Sequence, residues 1–357
     1  MSNPPVDWPG LIASFALEGT LQEAVPHGSG HINDTFAVSL IQATGGRRYI
    51  FQRINQNVFK NIPALMDNIS RVTTHLPHGM RLNATSAGAA ALRDDVGHYW
   101  RCYDFIENAS THDIVETAQQ ARAAAYSFGE FQGQLVDLPG PRLHETIPDF
   151  HHTRQRFNHL IAAIAADPAG RRATVSAEID FARAREPMVD HLLARVARGE
   201  IPERITHNDT KINNVMLDDT TGTGVAVIDL DTVMPGLVLY DFGDMVRTAT
   251  NAAAEDETDL SKVACRLEIF DALAEGYLAS AGSFLLPAEQ EELELGGRLM
   301  TFENGVRFLT DYLQGDTYYK IHRPGHNLDR ARCQFALVRS MEDQAADMRA
   351  IIADRAK

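Results

Sequence analysis

The sequence has few of the features that mark a secreted or membrane-spanning protein. Only three of its 357 residues are cysteines, Cys102, Cys265 and Cys333, and they lie far apart without a CxxC pair. No disulfide framework is therefore expected, and buried thiols in a reducing cytoplasm are the simplest interpretation. No apolar run approaches the ~20 residues that a membrane span requires. The first twenty residues carry no basic leader, so we expect no secretory signal.

Basic residues are scarce relative to acidic ones. The chain has 33 Lys and Arg residues against 48 Asp and Glu residues, which gives a net charge of −15. Such an acidic surface argues against nucleic acid and anionic lipid as partners, because both repel a surface of like charge. It does not exclude an anionic small ligand, since a local pocket can carry the opposite sign. The hydrophobic fraction of 44% is typical of a globular protein, and the length predicts about two domains.

The N-terminal third of the chain carries mostly strand signals. Two alternating stretches flank a glycine-containing turn at residues 28–30, and a third follows a Gly-Gly turn. A helical spacing of Leu65, Ile69 and Val72 comes next. The expected strands are residues 21–27, 34–40 and 48–53, the expected helix is residues 62–76, and a further hairpin is expected within residues 92–105.

The remaining two thirds are mainly helical and begin with an Ala-rich amphipathic stretch at residues 116–138. Only residues 205–232 alternate like strands. We therefore expect an α+β fold with two lobes. A small β-rich N-terminal lobe (1–105) would be joined by a hinge (106–112) to a larger, mainly helical C-terminal lobe (113–357). A cleft between two lobes is a common place for a ligand.

Residues 205–244 carry the pattern with the clearest chemistry. His207, Asp209 and Asn214 form H-x-D-x-x-x-x-N, and a strand, a Gly-containing turn and a second strand then lead to Asp229. In phosphoryl transfer, an Asp can orient and deprotonate the attacking hydroxyl, while an Asn five positions later and a further Asp hold the metal. Such oxygen ligands suit Mg²⁺, which also binds nucleotide phosphates. A surface loop rich in turn-forming Asp and Asn is the alternative, but it does not explain the whole combination.

These motifs resemble those of the aminoglycoside phosphotransferase and choline kinase superfamily, whose members have a protein-kinase-like fold. The closer resemblance is to N-acetylhexosamine 1-kinases, and it covers essentially the whole chain. It implies ATP-dependent phosphorylation of the anomeric hydroxyl of N-acetylglucosamine or N-acetylgalactosamine to the sugar 1-phosphate. The similar segments include GHIND (30–34), YIFQRIN (49–55), THNDTKINN (206–214), VIDLDTVMPG (227–236), YDFGD (240–244) and RFLTDYLQGDTYY (307–319).

The resemblance implies roles in catalysis and in nucleotide binding. Asp209 would be the catalytic base, and Asn214 and Asp229 would bind Mg²⁺. ATP would be the phosphoryl donor, with its adenine at the hinge and its phosphates below the first turn of the N-terminal lobe. The expected nucleotide contacts are Phe105, Glu107, Gly28, Gly30 and Arg53.

One departure from protein kinases concerns the third strand. Protein kinases place a Lys there that contacts the nucleotide phosphates. This sequence has no Lys on that strand, and the nearest cation is Arg53. A guanidinium could contact phosphate as a forked donor. Strand alternation leaves open whether Gln52 or Arg53 faces the cleft.

The resemblance also implies an acceptor site. His31, Arg307 and Tyr318, together with Asp209, would hold a neutral sugar. A cationic acceptor, such as an amino alcohol or an aminoglycoside, is an alternative that would favour a carboxylate-lined pocket, and Arg307 counts against it. A non-catalytic pseudokinase is a second alternative, but it would lack a base or a metal ligand. The sequence leaves the oligomeric state open.

Other polar residues near the motif receive structural or open interpretations. Asp231 could be a second metal ligand or a support. Asp241 is expected to brace the catalytic loop through its backbone or through His207. Three further histidines lack metal-ligand spacing and are expected to be surface polar groups, namely His144, His151 and His152.

Overall fold

The N-terminal part of the chain forms an antiparallel sheet with a helix on each face. In the computed structural model, which describes residues 6–28 and 32–357, the strand order is β1-β2-β3-β6-β4, and β5 also pairs with β6. The elements are α1 (Trp8–Ala13), β1 (Thr20–Pro26), β2 (Asp34–Gln42), β3 (Gly45–Arg53), α2 (Ile62–His75), β4 (Leu82–Asn83), β5 (Leu92–Arg93) and β6 (Tyr99–Asp104). The strands and the helix expected in this region are confirmed, with small differences at their ends.

The two faces of this sheet bury different side chains because strand residues alternate in direction. Tyr49 and Phe51 of β3 and Trp100 of β6 pack with α1 in one apolar cluster. Ile50 and Tyr103 point to the opposite face and pack in the large cluster shared with α2 and the helical part of the chain. Residues of even number on β3 and odd number on β6 therefore face the cleft.

The C-terminal part is mainly helical, with short strands at the end nearest the sheet. Strands β10, β9 and β7 form one small antiparallel sheet, and β11 pairs with β8. Its elements are β7 (Ala109–Ser110), α3 (Ala118–Gln134), α4 (Thr153–Ala166), α5 (Ser176–Ala184), α6 (Glu186–Val189), α7 (His191–Ala197), β8 (Arg204–Thr206), β9 (Val215–Asp218), β10 (Gly224–Val227), β11 (Met234–Gly236), α8 (Val238–Ala249), α9 (Leu267–Ala281), α10 (Pro287–Glu291), α11 (Leu293–Gln314), α12 (His326–Asp343) and α13 (Ala345–Arg355). The two-lobed α+β architecture predicted from the sequence is thus confirmed.

The connection between the two parts follows directly after β6. Strand β7 already pairs with β9 of the helical part, and the carbonyl of Asn108 accepts a hydrogen bond from the Asp219 N–H at 3.0 Å. Within the described ranges, no helix combines the length and the apolar character that crossing a membrane requires.

Helix α8 crosses the central helix α11 at very short range. A Cβ atom on Gly243 would collide with the carbonyl oxygen of Gly296, and one on Gly296 would meet the Leu239 carbonyl at 2.6 Å. Only residues without a side chain permit this approach. The close crossing places Asp241, on the same helix, beside the loop that follows β8.

A buried ion pair joins the sheet to the helical part. Both Nη atoms of Arg101 on β6 bind the carboxylate of Asp231, and both side chains are almost fully buried. The Nε of Arg101 donates to Oε1 of Gln52 at 2.9 Å, and Nδ2 of Asn33 donates to the Asp231 carboxylate at 2.6 Å. Asp231 therefore supports the junction between the lobes, which is one of the two roles that the sequence left open.

We expect Arg101→Met to destabilise the protein strongly, because it leaves the Asp231 carboxylate buried without its cation. The expected loss is about 3–5 kcal/mol of unfolding free energy. Arg47→Met is the matched control, since Arg47 is half exposed and its pair with Asp104 should contribute at most about 1 kcal/mol. Urea unfolding followed by circular dichroism measures both. Equal losses in the two variants would contradict the importance given to the buried pair.

Candidate active site

The loop between β8 and β9 is held from below by a buried carboxylate on α8. Oδ2 of Asp241 accepts the backbone N–H of His207 at 2.8 Å, and Oδ1 accepts that of Asn208 at 2.7 Å. Nε2 of Gln132 donates to the same carboxylate at 2.6 Å. All oxygens of this carboxylate are therefore engaged in holding the loop. The expected bracing role of Asp241 is confirmed, and it acts through the backbone.

His207 orients the loop and is not available as a base. Its Nε2 donates to the carbonyl of Ile228 at 2.9 Å, because a carbonyl can only accept. Its Nδ1 then accepts the backbone N–H of Asp209 at 3.3 Å. The ring lies between Phe128 and Phe131 and is fully buried.

The carboxylate of Asp209 reaches the cleft in an ionised form. Nδ2 of Asn214 donates to its Oδ2 at 3.0 Å, and Nζ of Lys211 lies 2.8 Å from its Oδ1. Burial alone would raise the pKa of Asp209, but the charge and hydrogen bond of Lys211 and the hydrogen bond from Asn214 lower it below its ordinary value. An ionised carboxylate can accept the hydrogen bond of a hydroxyl. The sequence analysis missed Lys211, and the only signal for it was its position two residues after Asp209.

Asp229 lies next to Asp209 and Asn214 because β9 and β10 form a tight hairpin. The N–H of Ile228 donates to the Asn214 carbonyl at 2.9 Å, which fixes the neighbouring Asp229. Asp229 has a left-handed backbone with φ of 58°, a conformation that costs energy and is found at functional sites. Its carboxylate accepts no hydrogen bond from any residue that the structure describes. The enclosing cleft walls, with the charges of Asp231 and Asp209, raise the pKa of Asp229 to about 6.

The donor set around Asp229 fits a hard divalent cation. Among the described residues, no three His, Cys, Asp or Glu side chains converge to hold a metal by themselves. Mg²⁺ is commonly held by one or two protein ligands and completes its shell with phosphate oxygens and water. A cation beside Asp229 would also relieve the repulsion among the carboxylates. Asn214 and Asp229 therefore fit the metal role predicted for them.

The predicted phosphate contact by Arg53 does not agree with its placement. Arg53 lies on the sheet face that packs against α1, where Nη2 is 2.6 Å from Oδ2 of Asp34. Gln52 points to the cleft, donates to Thr35 at 3.0 Å and accepts from Arg101. The cation beside Gln52 on the cleft face is thus Arg101, which was not predicted from the sequence. Alternation along β6 places Arg101 on one face of the sheet, but the sequence alone does not give the pairing register that shows which face this is.

The predicted hinge residues adjoin the sheet edge. The Phe105 N–H is already bonded to the Arg48 carbonyl at 3.2 Å, so adenine would use other backbone groups of this segment. Nε of Arg48 donates to the exposed Glu107 at 2.9 Å, and its guanidinium lies 3.7 Å from the Phe105 ring. Phe105 and Glu107 therefore both contact Arg48.

The predicted glycine-turn residues are described only in part. Gly28 has φ of 77°, a conformation that favours glycine, and no atom of the described residues lies within 4 Å of where its Cβ would be. The roles predicted for Gly30 and His31 concern positions outside the described residues.

Arg307 lies within α11, and Tyr318 lies beyond the end of that helix. Arg307 has no ion-pair partner among the described residues, and its guanidinium lies 6.0 Å from the Phe150 ring and 5.8 Å from the Tyr319 ring. Tyr318 follows the helix end, as expected, and its side chain is exposed, with 74% of its surface accessible. Its N–H donates to Oδ1 of Asp311 at 2.8 Å. The guanidinium N–H groups of Arg307 can therefore donate hydrogen bonds to a ligand.

His151 is buried, so the expectation that it is a surface group is wrong. Its Nδ1 lies 3.0 Å from Oε1 of Glu303 on α11, and its Nε2 lies 2.9 Å from the carbonyl oxygen of Asn208. Its partners are distant in sequence, so no local spacing could reveal them. His144 and His152 are partly exposed, as expected.

Comparisons with known proteins agree with this geometry. The profile of a family described as the phosphotransferase enzyme family matches residues 23–291. The structure is similar to a microcompartment-associated aminopropanol kinase, with a TM-score of 0.64, 14% identity, and coverage of 95% of this chain and 97% of that one. It is similar to an aminoglycoside phosphotransferase from Alicyclobacillus acidocaldarius subsp. acidocaldarius DSM 446, with a TM-score of 0.65, 12% identity, and coverage of 99% and 98%.

A third similar structure is an amicoumacin kinase in complex with AMP-PNP, Ca²⁺ and Ami, with a TM-score of 0.58, 10% identity, and coverage of 95% of this chain and 94% of that one. At these identities the structural likenesses show a shared fold. The profile match spans more than half of the chain, and it includes the loop of Asp209 and the hairpin of Asp229. This chain therefore belongs to the phosphotransferase enzyme family.

Proposed function

We propose that this chain is an ATP-dependent small-molecule kinase whose acceptor is the anomeric hydroxyl of an N-acetylhexosamine. The observation that carries the kinase part is the grouping of three side chains on one loop and one hairpin. Asp209 is ionised and open to the cleft, while Asn214 and Asp229 beside it fit a cation. Support for nucleotide as the donor comes from the similar amicoumacin kinase, which holds AMP-PNP.

The proposed reaction is a direct in-line transfer. The acceptor oxygen forms a bond to the γ-phosphorus while the bond to the bridging oxygen of ADP breaks. Asp209 orients the hydroxyl and accepts its proton as the new bond forms. Mg²⁺, held by Asn214 and Asp229, would supply the positive charge that neutralises the phosphate oxygens.

The charges around the acceptor side favour a neutral acceptor over a cationic one. Lys211 pairs with Asp209. The guanidinium groups of Arg247 and Arg307 lie close enough for their positive charges to repel each other. Arg247 is neutralised by Asp244, but Arg307 has no such partner among the described residues. A quaternary or primary ammonium group would be repelled there. Hydroxyl and acetamido oxygens can instead accept from the guanidinium of Arg307.

The sugar assignment rests on the resemblance of residues 307–319 to N-acetylhexosamine 1-kinases, with Arg307 and Tyr318 at the matching positions. An amino alcohol or an aminoglycoside is the competing acceptor class, since aminopropanol and aminoglycoside enzymes share this fold. The observation that favours the sugar is that Arg307 forms no ion pair with the residues that the structure describes.

Asp209→Asn is expected to lower kcat by at least about 100-fold, because an amide cannot accept the hydroxyl proton. The Kd for ATP should stay within about twofold, since the variant keeps the shape of the loop. Steady-state ADP release and calorimetric titration with ATP measure the two quantities. Unchanged turnover in this variant would exclude Asp209 as the base.

Asp229→Asn is expected to raise the Mg²⁺ concentration needed for half-maximal activity, because one charged oxygen ligand is lost. Asp219→Asn is the matched control, since Asp219 is exposed on the adjacent turn between β9 and β10. A Mg²⁺ titration of the initial rate compares the variants. If both variants show the same Mg²⁺ dependence as the parent protein, Asp229 does not bind the metal.

The acceptor is tested with N-acetylglucosamine, N-acetylgalactosamine, glucosamine, choline, ethanolamine and aminopropanol. We expect turnover of the N-acetyl sugars, with phosphate on C1 by NMR. Arg307→Met should raise the KM for the sugar about 10- to 100-fold, the cost of losing a charged hydrogen-bond donor, and leave the KM for ATP unchanged. Arg172→Met, an exposed position, is the control. Turnover of cationic acceptors alone, or phosphate on C6, would contradict the assignment.

A further inference from the structure

We propose that His151 is a positioning residue of this kinase. His151 and His207 bind the two ends of the peptide group between Asn208 and Asp209. Glu303, which binds His151, lies on the helix that carries Arg307. The proposal rests on the proposed function, because it assigns His151 to the alignment of the catalytic base Asp209.

The contacts of His151 require Nε2 to donate, and with an ionised Glu303 they require Nδ1 to donate as well. Nε2 lies 2.9 Å from the carbonyl oxygen of Asn208, which has no proton to give. Nδ1 lies 3.0 Å from Oε1 of Glu303, whose other oxygen accepts the hydroxyl of Thr153 at 2.6 Å. An ionised Glu303 therefore implies an imidazolium ring at His151. This is a charged hydrogen bond to the loop, inside a fully buried cluster.

The ionisation directions agree with this geometry. Burial alone would lower the pKa of His151, but its contacts with Glu303 raise it above the ordinary value. Burial would raise the pKa of Glu303, but the hydrogen bond and the charge of His151 lower it. Each charge of the pair thus stabilises the other.

The peptide that precedes Cα of Asp209 is held at both ends. Its carbonyl, which belongs to Asn208, accepts from His151, and its N–H, which belongs to Asp209, donates to Nδ1 of His207 at 3.3 Å. A peptide group is planar, so fixing both ends fixes the plane. Asn208 has φ of 65°, a left-handed conformation that a non-glycine residue adopts only when its surroundings hold it there. The plane sets the direction of the Asp209 side chain.

The same unit reaches the proposed acceptor contact. Glu303 and Arg307 lie one turn apart on α11, and the guanidinium of Arg307 lies over the ring of Phe150, the residue before His151. The carboxylate of Glu303 and the guanidinium of Arg307 also interact through their charges. The turn of α11 from Glu303 to Arg307 and the dipeptide Phe150–His151 therefore connect the proposed sugar contact to the peptide group before Asp209.

A purely structural role gives a weaker account of this cluster. A buried ion pair stabilises a protein little more than apolar residues of the same volume would. Its geometric effect is specific, because transfer rates fall steeply when a reacting group moves by about 1 Å. His151 and Glu303 are therefore expected to affect the rate of transfer more than the affinity for either substrate.

The test compares His151→Gln with His159→Gln, since His159 is exposed on α4. With ATP and N-acetylglucosamine, His151→Gln should lower kcat about 10- to 100-fold and leave both KM values within about twofold. His159→Gln should leave both quantities unchanged. A KM increase without a kcat loss would overturn the proposal.

A double-mutant cycle with Asp209→Asn separates positioning from stability. If His151 acts through the base, His151→Gln should reduce kcat little further when Asp209 is already replaced. The same fold-loss in both backgrounds would overturn the proposal. Glu303→Gln runs the same cycle and gives the result if His151→Gln does not fold, as judged by circular dichroism.

A second measurement does not depend on the acceptor. NMR of the ¹⁵N-histidine-labelled protein at neutral pH should show protons on both ring nitrogens of His151, identified by their loss in His151→Gln. A ring without a proton on Nε2 would overturn the proposed hydrogen bond to the Asn208 carbonyl. If the parent protein phosphorylates no sugar but another acceptor, the proposed substrate is wrong, and the cycle is run with that acceptor.

Discussion

The buried ion pair between Arg101 and Asp231 sets how the two lobes meet, and the site depends on that junction. Asp231 follows Asp229 by two residues, so any shift of the sheet relative to the helical part would move the proposed metal ligand. Asn33, which leads into β2, donates to the same carboxylate. The Asp231 carboxylate, which follows the β9–β10 hairpin, thereby binds both Arg101 on β6 and Asn33 before β2.

Three neighbouring carboxylates at this site differ in how many of their oxygen atoms remain free to bind a ligand. Asp241 is consumed by two backbone N–H groups and an amide, so it can only hold the loop. Asp209 has donors that keep it ionised while part of it stays open. Asp229 has no described donor, and the neighbouring negative charges favour a cation beside it. The three residues are of the same type, so their different hydrogen-bond and charge partners determine what each carboxylate can do.

Several cationic side chains lie on the proposed acceptor side although the chain as a whole is acidic. With a net charge of −15, the protein still brings Lys211, Arg247 and Arg307 near one another. The first two are paired with carboxylates, whereas Arg307 forms no ion pair with any residue in the described part of the chain. The net charge therefore describes the surface, whereas the selectivity of the cleft depends on a few enclosed side chains. The buried His151–Glu303 pair belongs to this same region and connects it to the loop of Asp209.

The sequence by itself determined the two-lobed α+β architecture, the strands of the sheet and the H-x-D-x-x-x-x-N motif, because periodicity and short-range spacing are local properties of the chain. The placement of Asp209, Asn214 and Asp229 also followed from a loop and a hairpin within one short segment. Only the tertiary structure decided that Gln52 and not Arg53 faces the cleft, that Arg101 is the buried cation there, and that His151 supports the loop. These outcomes depend on strand register and on partners more than fifty residues away, such as Asp231 and Glu303. Contacts of that kind are chosen by packing, which no local pattern records.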